Sequence, residues 1–470
     1  GGGGGGGGEG GDEGEGATTP PPTTTARPPS VQALLSPLAG LFGDRVNRVH
    51  VIAAASFLWG VMTIAMGLAK TFPQMLAFSC VNGLGLALLI PCVQSLLADY
   101  YTPANRGRAF GLLYFTSSLG QMLGTQLSTG LGRKTVAGEE GWRFVFHVVG
   151  ALSILTSGFV LALARDPRVL VKPPPSQRGL RNHLRWAGAR LSEMWRDVGT
   201  VVRIPTFVVI FLQGIVGMMP WVAMGFWPTY LQLLGFSDGK SGLIASMLTL
   251  GTAFGCQLAG FIGDGMLTKF PKAGRVMTAQ FSVLMSLPGT VLLLRGLPRP
   301  GLGVTSFGSP AESGAYAATF FFVGLIISWC GTNNSAIFAE IVPAQLRTTV
   351  FAFNRCIETS ISQVAAKLVA LCAVHWFGFE DNLALAVAQP LGSPERTRNA
   401  TALGNALLFW LLVPWFLCFL AYTGLYCTLP GDRVTAAAIG ARLEADAEAK
   451  RAAAKLSAGA AGAARVVAEE

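Results

Sequence analysis

Charge is what this chain has least of. Only 13% of its 470 residues are Asp, Glu, Lys or Arg, against about a quarter in soluble domains. With 51% hydrophobic residues and a mean hydropathy of +0.49, the chain belongs in a bilayer. Histidine is equally scarce. His50, His147, His183 and His375 are scattered, and none has Cys or carboxylates at ligand spacing. The eight cysteines (Cys80, Cys92, Cys256, Cys330, Cys356, Cys372, Cys418 and Cys427) all fall in apolar runs without a close CxxC pair. Zinc and a disulfide framework are therefore not indicated, and the thiols read as small packing groups. No Met opens the chain and no basic-then-apolar leader follows. The glycines at the front lack the Lys-Ser/Thr and the strand–helix unit of a phosphate-binding loop. Without a catalytic constellation, the chain reads as no enzyme and calls for no cofactor.

What it has instead is length of apolar run. Stretches of roughly 20 residues that could span a bilayer occur at 49–69, 75–98, 108–131, 143–164, 206–234, 241–263, 276–295, 314–339, 347–376 and 402–428. The expected fold class is all-α and integral to a membrane, with about ten complete transmembrane helices. The net charge of +10 does not argue for nucleic acid. Nine of the basic residues lie in one connector, from Arg165 through Arg203, opposed there by Asp166, Glu193 and Asp197 alone. A basic loop between membrane segments reads as cytoplasmic.

One stretch organises the rest: Gly40-Leu41-Phe42-Gly43-Asp44-Arg45-Val46-Asn47-Arg48. Its glycines let two helices and their turn approach closely. The carboxylate of Asp44 can face the positive end of a neighbouring helix, and Arg45 and Arg48 favour the cytoplasmic side. A copy, Gly260-Phe261-Ile262-Gly263-Asp264-Gly265, lies 220 positions later, followed by Lys269, Lys272 and Arg275. A second pair of echoes has the same order. Asp99, Arg106 and Phe110 match Glu340, Arg347 and Phe351, with acid and arginine seven apart and arginine and phenylalanine four apart. Two echoes in the same order indicate an internal duplication of a multi-helix unit, hence two pseudo-repeated bundles.

The domain reading follows. Residues 1–30 are a disordered low-complexity segment. Residues 31–165 form an N-terminal half-bundle, 166–204 a cytoplasmic connector with an amphipathic helix, 205–430 a C-terminal six-helix bundle, and 431–470 a cytoplasmic tail. Val31 to Ala39 alone precede the first Gly-Asp-Arg turn, whereas its copy has two full spans before it. One helix and most of a second are expected ahead of it, twelve in all, so the chain reads as N-terminally truncated. Pro220 and Pro228 should kink 206–234. Gly107-x-x-x-Gly111, Gly120-x-x-x-Gly124 and Gly251-x-x-x-Gly255 read as helix-pairing patterns.

Polar residues inside spans are the candidate binding groups. Arg355 and Glu358 share a helix face at i,i+3. They are either a substrate or coupling pair or a structural ion pair, since Arg355 is only about two turns from the helix end. Asn333 and Asn334, with Trp329 one turn earlier, are candidates for a cavity. So are Gln213 and Trp221, Asn82 and Gln94, and Gln121. Each could equally be helix–helix glue worth about 0.6 kcal/mol.

At these motifs the chain resembles the major facilitator superfamily over roughly residues 31–430. Within it, Gly141-Trp142-Arg143-Phe144-Val145-Phe146-His147 and the run from Asn333 to Pro343 look closest to plant and algal spinster-like members. The resemblance implies two bundles that alternate access to a central cavity, lined here by 75–98, 206–234 and 314–339. It implies that Gly40, Gly43, Asp44, Arg45, Arg48, Asp99, Arg106, Gly260, Gly263, Asp264, Glu340 and Arg347 form a cytoplasmic latch, with Asp44 facing the start of 347–376. Gly265 stands where the first copy has Arg45, which implies a weaker second latch. The implied function is secondary active transport of a small organic, even lipid-like, solute by a multi-pass protein of the plasma membrane or an organelle, with a proton as candidate coupling ion and a monomer as the expected state. The rival expectations are a non-transporting sensor on the same fold and a truncated inactive product.

Overall fold

The computed structural model describes residues 47–131, 135–136, 138–167, 199, 201–380 and 383–469. Gly40, Gly43, Asp44 and Arg45, the segment 1–30 and the amphipathic helix expected in the connector lie outside the described residues.

Every apolar stretch read in the sequence is a helix. They are α1 (Arg48–Leu68), α2 (Phe72–Tyr100), α3 (Arg106–Leu131), α4 (Gly141–Leu163), α5 (Pro205–Ala223) continuing through Met224–Phe226 into α6 (Trp227–Leu233), and α7 (Asp238–Lys269). Then follow α8 (Gly274–Val291) with a π-turn at Leu292–Gly296, α9 (Pro310–Ile327), α10 (Trp329–Ile341), α11 (Arg347–His375), the short α12 (Leu383–Ala388), and α13 (Pro394–Glu469). A two-stranded antiparallel hairpin, β1 (Thr135–Val136) and β2 (Glu139–Glu140), joins α3 to α4. Among the described residues, eight segments are long and apolar enough to cross a membrane. The helices α3 and α11 are also of span length but too polar to count among them. They are the pair that begins with the equivalent Arg106 and Arg347.

Two interruptions shape the C-terminal half. Pro220 and Pro228 bracket the 3₁₀ turn between α5 and α6, as rings without a donor should. Between α9 and α10 the helix breaks at Ser328. The freed backbone groups find partners on α8: Ser282 Oγ donates to the Ile326 carbonyl at 2.6 Å and accepts from the Trp329 amide at 3.2 Å. A broken helix at membrane depth requires such re-satisfaction.

The halves meet along α3 and α7, where helix backbones touch. A Cβ on Gly260 would lie 2.3 Å from the Gly107 carbonyl, and one on Gly111 2.7 Å from the Cys256 carbonyl. The Gly251/Gly255 pair serves α7 against α9 in the same way, 2.1 Å from the Phe321 carbonyl and 2.3 Å from that of Leu325. Gly120 and Gly124 have nothing within 4 Å among the described residues; their spacing fits a pairing motif, but no described helix makes that close approach. Across the seam Phe110 meets its repeat-mate Phe351, ring centroids 6.3 Å apart.

Candidate functional site

Two clusters of buried charge sit at the end of the bundle where α2 and α10 finish and α3 and α11 begin. In the first, Arg48 is fully buried at the start of α1. Its Nη1 donates to Asp99 Oδ2 at 2.7 Å and to Ser95 Oγ at 2.9 Å, and its Nη2 to Asp166 Oδ1 at 2.6 Å. The other oxygen of Asp99 takes Nη1 of Arg347, from the opposite half. In the second cluster Arg275, also fully buried, donates Nη2 to Asp264 Oδ1 at 2.7 Å and Nε to Glu340 Oε1 at 2.9 Å. The Glu340 Oε2 accepts from Arg433 of α13.

Helix ends explain why these residues collect here. Asp264 accepts the Gly107 and Arg108 amides at 3.0 and 2.9 Å, so its charge faces the positive end of α3 in the opposite half. Gly107 makes that approach possible: its Cβ would lie 2.5 Å from Asp264 Oδ1. Arg106 and Arg347 each reach back eight residues to a carbonyl at the end of the preceding helix. Arg106 Nε donates to Ala98 O at 3.0 Å and Arg347 Nη2 to Ala339 O at 2.7 Å, which sets each cation on a helix C-terminus. Arg106 Nη1 also donates to Ala339 O at 3.2 Å, across the seam. Gly263 packs on the Asn333 amide: a Cβ there would be 2.2 Å from Asn333 Oδ1.

Beyond these clusters lies a cavity of about 520 Å³ between the halves, within the usual range of about 300–1,000 Å³ for a ligand pocket. Glu358 is eleven residues along α11 from Arg347, roughly 16 Å by helix rise, about half the thickness of a hydrocarbon core of roughly 30 Å. Gln94, Gln213, Trp221, Asn334, Arg355 and Glu358 line it. Gln94 Nε2 donates to the Tyr114 hydroxyl at 3.2 Å, which lies 2.7 Å from Ser335 Oγ and so bridges the halves. Asn334 Nδ2 donates to Gln213 Oε1 at 2.8 Å, and Tyr422 donates to Asn334 Oδ1 at 2.8 Å. Asn354 Nδ2 donates to Glu358 Oε1 at 2.8 Å, while Arg355 Nη1 is 3.9 Å from Glu358 Oε2 and its Nε is buried without a partner. The rest of the wall is apolar and aromatic.

The sequence profile of the Major Facilitator Superfamily matches residues 25–367. The chain belongs to the major facilitator superfamily. It is similar to protein spinster of Drosophila melanogaster, 23% identical over 70% of this chain and 52% of that relative. It is similar to the probable sulfoacetate transporter of Cupriavidus necator, 24% identical over 56% of this chain and 60% of that one. The chain thus spans about half the length of the Drosophila relative. Its fold is that of the bacterial homologue of the human lysosomal transporter Spinster in an inward-facing, unoccupied conformation, with a TM-score of 0.55 at 20% identity over 86% of this chain and 89% of that one. The spinster-like, all-α membrane fold read from the motifs is therefore that of the protein, and the superfamily is one of transporters, not enzymes.

Against the superfamily's two-bundle frame, the sequence candidates divide. Arg48, Asp99, Arg106, Gly260, Gly263, Asp264, Glu340 and Arg347 gather at the charged end. Asn82, Gln121, Trp329 and Asn333 stand away from the cavity wall. Asn82 Nδ2 donates to Thr63 Oγ1 at 3.0 Å and to Trp59 O at 3.2 Å, joining α2 to α1. Trp329 donates its indole N–H to Leu325 O at 2.7 Å, and Asn333 is fully buried, donating to Trp329 O at 3.0 Å. Gln121 is exposed. Sequence reasoning missed Asp166, Arg275 and Arg433 in the clusters, Tyr114 and Ser335 in the cavity wall, and Tyr422 behind Asn334. Arg275 was within reach. Counted from the start of the following helix rather than from the Gly-Asp motif, it is the equivalent of Arg48, because α7 runs on past Asp264 to Lys269 before the turn.

Proposed function

We propose that this protein carries a small amphipathic organic solute across a membrane by secondary active transport, rocking its two halves about the midplane cavity. The observation that carries this reading is the cavity between the halves together with the charged contacts that join them at one end. Asp99–Arg347 and Asp264 on the α3 amides hold that end together, so the cavity must be reached from elsewhere until they part. The lining suits a solute with an apolar body and one polar head: aromatic and aliphatic walls, four amides, three hydroxyls and a single ion pair. The names of two relatives, a probable sulfoacetate transporter of Cupriavidus necator and a sphingosine-1-phosphate transporter of Xenopus tropicalis, support an organic acid or a lysolipid as first candidates. Glu358, on a helix that leaves the charged end, is the proposed proton carrier. The basic connector 166–204 supports a cytoplasmic location for the charged end, the connector and the tail. The half-bundles 31–165 and 205–430 are the proposed moving bodies of a monomer.

The test is counterflow in liposomes holding the purified protein, with labelled sulfoacetate and a labelled lysophospholipid as probes. Accumulation of one probe, abolished by Asp99→Asn and Arg347→Ala, is the expected result. Saturable binding of a probe without flux would replace transport by a sensor on the same fold.

A further inference from the structure

At the end of the C-terminal half opposite the charge clusters, a second cavity of about 70 Å³ lies among the end of α6, the segment 297–309 and the start of α13. It shares no lining residue with the midplane cavity. Two arginines line it, Arg299 and Arg396, with the side chains of Tyr230, Thr397 and Thr401, and no carboxylate.

The two arginines differ. Arg396 is fixed by carbonyls at its back: Nε donates to Leu233 O at 3.0 Å, Nη2 to Gln232 O at 2.6 Å and Nη1 to Gln389 O at 2.8 Å. It caps the C-terminus of α6, an ordinary structural role. Arg299 has no such role. Its Nη2 is buried with no hydrogen-bond partner, and among the described residues neither Arg299 nor Arg396 has a carboxylate in ion-pair reach. A buried guanidinium N–H left unpaired is costly. Here it is held by a stiff frame, since Pro298 and Pro300 flank Arg299 and the Pro298 carbonyl takes the hydroxyl of the buried Tyr316 at 2.6 Å.

Volume selects the ligand. One water needs about 10–15 Å³ of such space, so the cavity holds roughly five water-sized atoms, the heavy-atom count of a tetrahedral oxyanion. The unpaired Nη2 of Arg299, the remaining N–H groups of Arg396 and the Thr397 hydroxyl offer donors to such an ion, whereas the Thr401 hydroxyl already donates to the Thr397 carbonyl at 2.8 Å. We propose that this cavity is an anion site for a phosphate or sulfate group, held by Arg299 and Arg396 and apart from the transport cavity. The group is either a free oxyanion or the phosphate of a lipid headgroup, since the site lies where one candidate membrane span ends at Leu233 and another begins at Pro394. Occupied, it ties the segment after α8 to the ends of α6 and α13.

The full chain, purified in detergent, is heated with sodium phosphate or with chloride at equal ionic strength, and in parallel reconstituted in nanodiscs of phosphatidylcholine with or without phosphatidic acid. Bound lipid is read by native mass spectrometry. Phosphate is expected to raise Tm saturably, and Arg299→Gln to weaken its apparent affinity at least tenfold, with Arg299→Lys between. A shift with phosphate assigns a free ion. Retention of phosphatidic acid over phosphatidylcholine, lost in Arg299→Gln, assigns a headgroup. If neither phosphate nor phosphatidic acid acts on the wild-type protein, or both act equally on Arg299→Gln, the proposal is overturned. Should Arg299→Gln not fold, Thr397→Val, which keeps the guanidinium, carries the same comparison.

Discussion

The two charge clusters are repeat-mates with different partners. In each, an arginine at the start of a helix (Arg48 of α1 or Arg275 of α8) is buried against the acid near the end of the following span (Asp99 of α2 or Glu340 of α10). The third partner changes sign. In the first cluster it is Asp166, which pairs with Arg48; in the second it is Arg433, which pairs with Glu340. Among the described residues the cross-seam contacts are also of two kinds. Asp99 meets a side chain, Arg347, whereas Asp264 meets backbone amides at the start of α3. Gly107 lets the Asp264 carboxylate reach the end of α3; at the equivalent position of α11, Thr348 bonds Ser95 Oγ at 2.9 Å. A side-chain ion pair can be broken and remade by small rotations. A carboxylate seated on amides between touching glycine backbones is released only by moving a helix. The two clusters are therefore expected to differ in how tightly they hold the halves.

The sharpest way to break this comparison is at Asp264. Asp264→Ala leaves Arg275 fully buried with half its ionic partners and strips two amides of their acceptor. Loss of one partner of a buried pair costs about 3–5 kcal/mol. The protein is expected to lose that much stability in a denaturant titration in detergent micelles. Arg347→Ala should cost less, about 1–3 kcal/mol, because its side chain is 11% exposed and Arg48 still holds Asp99. Equal losses would show that the clusters are equivalent despite their geometry.

The next test fills the close approach at Gly107. Gly107→Ala places a methyl 2.5 Å from Asp264 Oδ1 and 2.7 Å from Arg275 Nη1. Overpacking of this kind costs about 1–3 kcal/mol, more than the gain of about 1 kcal/mol that Ala brings to a helix interior. Gly120→Ala on the same helix meets nothing within 4 Å and is expected to be neutral or to stabilise by up to about 1 kcal/mol. Melting curves of the two variants side by side decide it; a destabilising Gly120→Ala would show that this face is packed in the membrane.

How much of this could be read from the chain follows the range of each interaction. Helices set by twenty-odd apolar residues were legible, and the two polar ones, α3 and α11, were found with the rest. The Asp99/Arg106 and Glu340/Arg347 echoes were legible because each pair spans a single turn between helices. Asp166 and Arg433 were not, because each is brought to its cluster by the far end of a helix more than 90 residues from its partner, and nothing local marks that convergence. Asn333 and Asn334 show the same limit on a finer scale. Adjacent in sequence, one is sealed between α10 and α7 and the other faces the cavity, a choice fixed by the helix break at Ser328. The serine and tyrosine hydroxyls of the cavity were passed over because in a membrane helix such groups usually satisfy their own backbone.

The smallest expected effect on stability, and the one most informative for transport, is at Glu358. The two halves again differ. At the cavity Glu358 has no acidic repeat-mate, since the equivalent position on α3 is Ser117. Its carboxylate lies beside Gly214 of α5, where a Cβ would come 3.1 Å from Oε1, and beside Asn354 and Arg355. Glu358→Gln keeps the shape and the Asn354 hydrogen bond while removing the charge. It should change stability by less than about 1 kcal/mol. If Glu358 carries the proton, solute uptake into vesicles by this variant no longer responds to an imposed pH gradient, while counterflow at equal pH persists. If uptake by Glu358→Gln still follows the gradient, the carboxylate is a binding group alone. The asymmetry between α3 and α11 would then serve the solute and not its coupling.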